Sequence, residues 1–134
     1  MKAKTIKAYS IKDIIKEINR IISNDFKPTL AIVFLSITKD WKVISDVLDK
    51  KDIVVFGATT SGEFIDGDIE EGSIVIMLLD INPEYFKSVF LETGTETTFE
   101  NAKQIGLIGK ETFKNPAFLI VSGWLTEEGE NIVE

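Results

Sequence analysis

The residue types that this sequence lacks limit its chemistry most, since it contains no histidine and no cysteine. Their absence removes Ser-His-Asp triads, Cys-His dyads, histidine general bases and nearly all zinc sites. Hydroxyl nucleophiles remain, but each would need an activating base, and no motif joins one to Glu63 or to a lysine. We therefore predict that the chain is not an enzyme and assign no catalytic residue. A hydrolase with a Ser/Thr nucleophile is the least favoured alternative.

One segment with a distinctive pattern is Gly57-Ala-Thr-Thr-Ser-Gly62, which follows an apolar run. A phosphate loop would need lysine after the second glycine, whereas Glu63 stands there and would repel phosphate. The segment instead offers main-chain amides and hydroxyls at the carboxyl end of a predicted strand, where open α/β sheets bind ligands. We predict a ligand-binding rim made of Ser36, Gly57, Thr59, Thr60, Ser61, Gly62, Glu63 and Ser122. The alternative is that these residues only close turns.

Charge and composition exclude several other classes. The net charge is −7, and residues 61–134 carry four lysines against fifteen acids, so nucleic-acid binding is not expected. The acidic stretch 66–71 lacks the twelve-residue pattern of a calcium loop, and we predict no metal and no cofactor. The sequence shows no secretory signal and no apolar run of membrane-spanning length, which predicts a cytoplasmic protein without membrane contact.

Hydrophobic periodicity predicts the elements that would position this rim. Ser10 and Asp13 form a capping-box-like pair before isoleucines at helical spacing, and Trp41, Ile44, Val47 and Leu48 form the inward face of a second helix. Continuous apolar runs predict three buried strands over residues 30–35, 53–56 and 73–79.

Later segments are predicted less directly. We expect a turn at Asn82-Pro83, a half-exposed strand over residues 85–93, a helix from Thr97 to about Phe113 and a strand over 117–122. Gly106 and Gly109 within that helix suggest close packing against a sheet. A further helix begins at Thr126 and stops early, which suggests a fragment of a longer protein. The predicted fold is one α/β domain over residues 1–134, with α+β possible, built on a mixed sheet of about five strands.

The order of these motifs resembles the N-terminal FIST domain, the domain of F-box and intracellular signal transduction proteins. The resemblance is carried by the strand Leu30–Ser36, by Val55-Phe-Gly-Ala-Thr-Thr-Ser-Gly-Glu63 and by Gly72-Ser-Ile-Val-Ile76, and covers nearly the whole chain. Ala58 departs from it, because many members have cysteine there, so a thiol role is in doubt.

What the resemblance implies is a sensory input domain, found in bacterial signalling proteins and proposed to bind small ligands such as amino acids. It also implies a C-terminal FIST half or a signalling output domain as partner. A docking domain without a ligand is the alternative, with Trp124 and Leu125 as contact residues.

Overall fold

The computed structural model describes residues 1–22, 25–65, 67–92 and 98–121. The chain divides into two compact units, Met1–Ser88 and Val89–Glu134, which are described separately below. None of the helices in these residues has the length and apolar character needed to cross a membrane.

The first unit is a mixed sheet with two helices. Its elements are β1 (Lys2–Ala8), α1 (Ile11–Ile21), β2 (Leu30–Ser36), α2 (Trp41–Asp49), β3 (Val54–Thr60), β4 (Glu63–Ile65), β5 (Asp68–Glu70), β6 (Ile74–Asp80) and a 3-10 helix (Pro83–Tyr85). The main sheet has the order β1-β6-β2-β3, with β2 parallel to β3 and β6 antiparallel to both β1 and β2. A separate hairpin pairs β4 with β5. The predicted α/β class and the mixed sheet are confirmed.

The helices form where the sequence predicts them. The Ser10 hydroxyl accepts a hydrogen bond from the Asp13 amide at 3.1 Å, so the predicted cap of α1 is confirmed. Asp40 caps α2 in the same way through the Lys42 amide. The inward side chains of α1 and α2 pack on one face of the sheet, where the core lies. Its fully buried members include Ile14, Ile18, Ile44, Leu48, Ile74, Ile76 and Leu78.

The predicted strand over residues 85–93 is wrong for its described part. Residues 86–92 lie outside any strand, and the chain after β6 enters the 3-10 helix instead of a hairpin. The reason is topological, because β6 already has β1 on one side and β2 on the other. The position that a hairpin partner would take belongs to β1, an N-terminal strand that the sequence reading did not predict.

The second unit contains α3, which spans Thr98–Thr112 and confirms the predicted helix, although Thr97 lies outside the described residues. The strand predicted over 117–122 is not formed over 117–121. The Phe118 ring instead lies against α3, where a Cβ atom added to Gly109 would come within 2.5 Å of its Cζ. Gly109 therefore allows close approach of an aromatic ring rather than of a sheet. A Cβ atom added to Gly106 has no neighbour within 4 Å in the part of the chain that the structure describes.

Candidate functional site

The predicted rim begins inside a strand rather than in an open loop. β3 continues to Thr60 and pairs with β2 over its whole length, from Leu30 opposite Val54 to Ser36 opposite Thr60. Ser61 and Gly62 form the exposed bend that leads into β4. The predicted loop over 57–63 is therefore shorter than expected, because strand pairing extends through its first half. Ser122 lies outside the described residues.

Glu63 is the most deeply buried of the described residues of the predicted rim. It is 1% exposed. Its carboxylate accepts a hydrogen bond from the Thr60 hydroxyl at 2.7 Å, and from the Ser73 amide and hydroxyl at 3.0 and 3.1 Å. A buried carboxylate needs such donors, because an unpaired buried charge is very costly. The Glu63 carboxylate and the Thr60 hydroxyl are thus engaged with each other and with Ser73 within the fold.

Ser36 belongs to the same buried polar cluster. It is 9% exposed, its amide donates to the Ser73 carbonyl oxygen at 3.1 Å, and its hydroxyl lies 3.1 Å from that of Thr38. No buried side-chain nitrogen or oxygen in the described part of the chain lacks a partner. This cluster therefore joins the ends of β2, β3 and β6, and its polar groups are already satisfied.

Two residues of the predicted rim border an open groove. Gly57 and Thr59 lie on the helix-facing side of β3, and between that strand and α2 is a groove of about 460 Å³. The described residues that line it are Val33, Leu35, Trp41, Ile44, Ser45, Val55, Gly57, Ala58 and Thr59. We refer to it as the α2–β3 groove. It lies on the helix-covered face of the sheet, beside the edge strand.

Trp41 is the groove residue that sequence reasoning placed wrongly. Its spacing from Ile44 and Leu48 predicts an inward side chain, yet it is 60% exposed. Trp41 is the first residue of α2, and the buried side chains of the helix begin one turn later at Ile44. Ser45 was not predicted at all, since a lone serine within a helix carries no local signal.

Gly57 has a structural reason to be glycine that is independent of any ligand. A Cβ atom built on it would lie 1.8 Å from the carbonyl oxygen of Val33, its pairing partner on β2. Backbone atoms in a sheet cannot yield to such a contact. The absence of a side chain also leaves that part of the groove wall bare.

The outer edge of β3 carries the open backbone groups. The Val54 amide donates to the Thr29 carbonyl oxygen at 2.9 Å, which directs the backbone of Val54 toward β2. Because backbone groups alternate along a strand, those of Val55, Gly57 and Thr59 face away from β2. No described strand pairs with that edge.

Comparison with models of known protein families, with curated proteins and with solved structures finds no match to this chain. The resemblance to the N-terminal FIST domain therefore stays a prediction that rests on its motifs. Within residues 1–22, 25–65, 67–92 and 98–121, no three acidic side chains come together in a way that could hold a metal ion.

Proposed function

We propose that this chain is a sensory input domain that binds a small polar ligand, such as an amino acid, in the α2–β3 groove. The observation that carries the proposal is the position of Gly57 and Thr59 on the wall of a groove of about 460 Å³. Small-molecule sites are commonly clefts of roughly 300–1,000 Å³ with apolar walls and a few polar groups. The resemblance to FIST domains supports the sensory role, with a C-terminal FIST half or an output domain as partner.

The lining narrows the chemistry of the ligand. None of the nine lining residues that the structure describes is charged, and the polar side chains among them are Ser45, Thr59 and the Trp41 indole. Hydroxyls can donate and accept hydrogen bonds, and the outward amides of β3 can donate to a carboxylate. An amino acid with an apolar or aromatic side chain fits this lining, since that side chain would contact the Trp41 ring.

Fluorescence of Trp41 gives a direct test. The chain has two tryptophans, so a Trp124→Phe variant leaves Trp41 as the reporter. Titration with a panel of amino acids and metabolites is expected to change Trp41 emission and raise the melting temperature for at least one of them, because a ligand of the native state stabilises it. Thr59→Ala and Ser45→Ala should weaken that response at least about tenfold, the effect of losing roughly 1.4 kcal/mol.

A matched control separates binding from general damage. Thr5 is an exposed threonine on the opposite edge strand, so Thr5→Ala makes the same chemical change away from the groove. It should leave the ligand response unchanged. If no panel member changes either signal, or if Thr5→Ala weakens the response as much as Thr59→Ala, the proposed function is wrong.

A docking domain is the second candidate, and one observation favours it. Phe118, Leu119, Ile120 and Val121 are consecutive large apolar residues that are each 42–62% exposed. Contiguous exposed apolar surface commonly marks an interaction site. Light scattering and the binding of a hydrophobic dye test this candidate, with Leu119→Lys compared with the native chain. If both chains are monomers that bind no dye, the docking function is excluded.

A further inference from the structure

The two edges of the main sheet differ in how they are protected. β1 has the sequence Lys-Ala-Lys-Thr-Ile-Lys-Ala, with three lysines. β3 has the sequence Val-Val-Phe-Gly-Ala-Thr-Thr, with no charged residue and no proline. Natural proteins use lysine and proline on edge strands to prevent pairing with other chains. The β1 edge has this protection and the β3 edge does not.

The β3 edge also presents its backbone at regular spacing. Val55, Gly57 and Thr59 direct their amide and carbonyl groups outward, away from β2, as the hydrogen bond from Val54 to Thr29 shows. Every second residue of an extended peptide carries groups that match this spacing. A segment of about five residues would pair with the outward groups from Val55 to Thr59.

The groove beside this edge fits the side chains of such a segment. Val55, Gly57 and Thr59 line it together with Trp41 and Ile44 of α2, and none of its described lining residues is charged. Gly57 contributes no side chain to this lining. Charged side chains would lose hydration here without gaining a partner, whereas apolar ones would be buried favourably.

We propose that the β3 edge binds an extended peptide segment of a partner protein as an added strand. The segment has uncharged side chains at the positions that face the α2–β3 groove, and at least one of them is apolar and lies beside Trp41. Main-chain hydrogen bonds supply affinity and the groove supplies specificity. The proposal shares the groove with the small-ligand proposal but depends on the strand edge, so either can fail alone.

Selective backbone methylation of a peptide tests the added strand. The probe is the capped hexapeptide Lys-Thr-Val-Thr-Val-Lys, titrated against the full chain carrying Trp124→Phe with Trp41 emission as readout. Two further peptides carry N-methyl groups on both threonines or on both valines. Because alternate amides of an added strand face β3, one methylated peptide should lose affinity at least about tenfold while the other stays within about threefold. Equal affinity of the two methylated peptides, or no binding of the parent peptide, overturns the proposal.

Charge placed on each edge provides the matched control. Thr59→Lys places on β3 a lysine of the kind that β1 already carries. It should lower the affinity for the parent peptide at least about tenfold. Thr5→Lys adds the same charge to the β1 edge and should leave peptide affinity unchanged. Equal losses in the two variants contradict the assignment to β3. If the chain responds to a metabolite but does not bind the peptide, only the added-strand proposal is wrong. If it binds the peptide but responds to no metabolite, only the small-ligand function is wrong.

Discussion

Glu63 and Ser73 are joined by two hydrogen bonds to one oxygen, since the Glu63 Oε2 atom accepts from both the amide and the hydroxyl of Ser73. The Thr60 hydroxyl donates to the other carboxylate oxygen. Three segments of the chain, the end of β3, the start of β4 and the residue before β6, therefore meet at one buried carboxylate. Each of its donors among the described residues comes from the fold, so the carboxylate holds these three segments together.

Replacing Glu63 by alanine is expected to lower the free energy of unfolding by about 2–4 kcal/mol, because it leaves the buried Ser73 amide and hydroxyl without an acceptor. Urea denaturation of the two chains gives this difference directly. Glu71→Ala is the control, since Glu71 is an exposed acid only two positions before Ser73. A loss below about 0.5 kcal/mol for Glu63→Ala, the level typical of surface substitutions, would contradict the structural role.

Gly57 makes a second prediction about stability rather than binding. In Gly57→Ala the new Cβ would overlap the Val33 carbonyl oxygen, so β2 and β3 must separate locally. We expect the free energy of unfolding to fall by about 3 kcal/mol or more, in the range of strained core substitutions. Thr59→Ala on the same strand should change it by less than about 1 kcal/mol, because Thr59 is exposed. If Gly57→Ala is as stable as Thr59→Ala, the close approach to Val33 is wrong.

The parts of the fold that could be predicted from sequence are those with strong local patterns. The isoleucine spacing of α1 and the continuous apolar runs of β2 and β6 determine these elements by their own composition. β1 was not predicted, because its three lysines were interpreted only as a basic N-terminal segment. In the structure they lie on an edge strand. The prediction of a strand over 85–93 was wrong because the segment that pairs with β6 is set by the strand order of the whole sheet. Local sequence does not determine that order.

The candidate site was predicted in part for the same reason. Gly57 and Thr59 were found through their position after an apolar strand, and they do border the groove. Glu63 was interpreted as open because its partner Ser73 lies ten residues away across the β4–β5 hairpin. Trp41 was predicted to face the core because helical spacing gives the direction of a side chain. That spacing does not show how far along the helix the sheet extends beneath it.

The two glycines of α3 form a matched pair for a third prediction. A Cβ atom on Gly106 meets no atom of the described residues within 4 Å, so Gly106→Ala should stabilise α3 by about 0.5–1 kcal/mol through helix propensity. The same atom on Gly109 would lie 2.5 Å from the Phe118 ring, which must then shift. Gly109→Ala should therefore leave the stability of α3 unchanged or lower it. Hydrogen exchange of the α3 amides measures the stability of the helix in each variant. Equal protection in the two variants would contradict the packing of Phe118.

The end of α2 gives a fourth prediction. Asp52 has φ 58°, the left-handed region that favours glycine. The Asp52 amide donates to the Asp49 carbonyl oxygen at 2.9 Å and the Ile53 amide to that of Leu48 at 3.1 Å, which is the Schellman pattern that ends many helices. The same motif turns the chain directly into β3, so it fixes where one wall of the α2–β3 groove begins.

Asp52→Gly is expected to raise the free energy of unfolding by about 0.5–1 kcal/mol, because glycine adopts this conformation without the cost borne by a Cβ atom. Asp52→Ala keeps the Cβ atom and loses the polar side chain, so it should be less stable than the native chain. Urea denaturation of the three chains should rank them glycine, aspartate, alanine. An alanine variant as stable as the glycine variant would show that the left-handed turn does not limit stability at this junction.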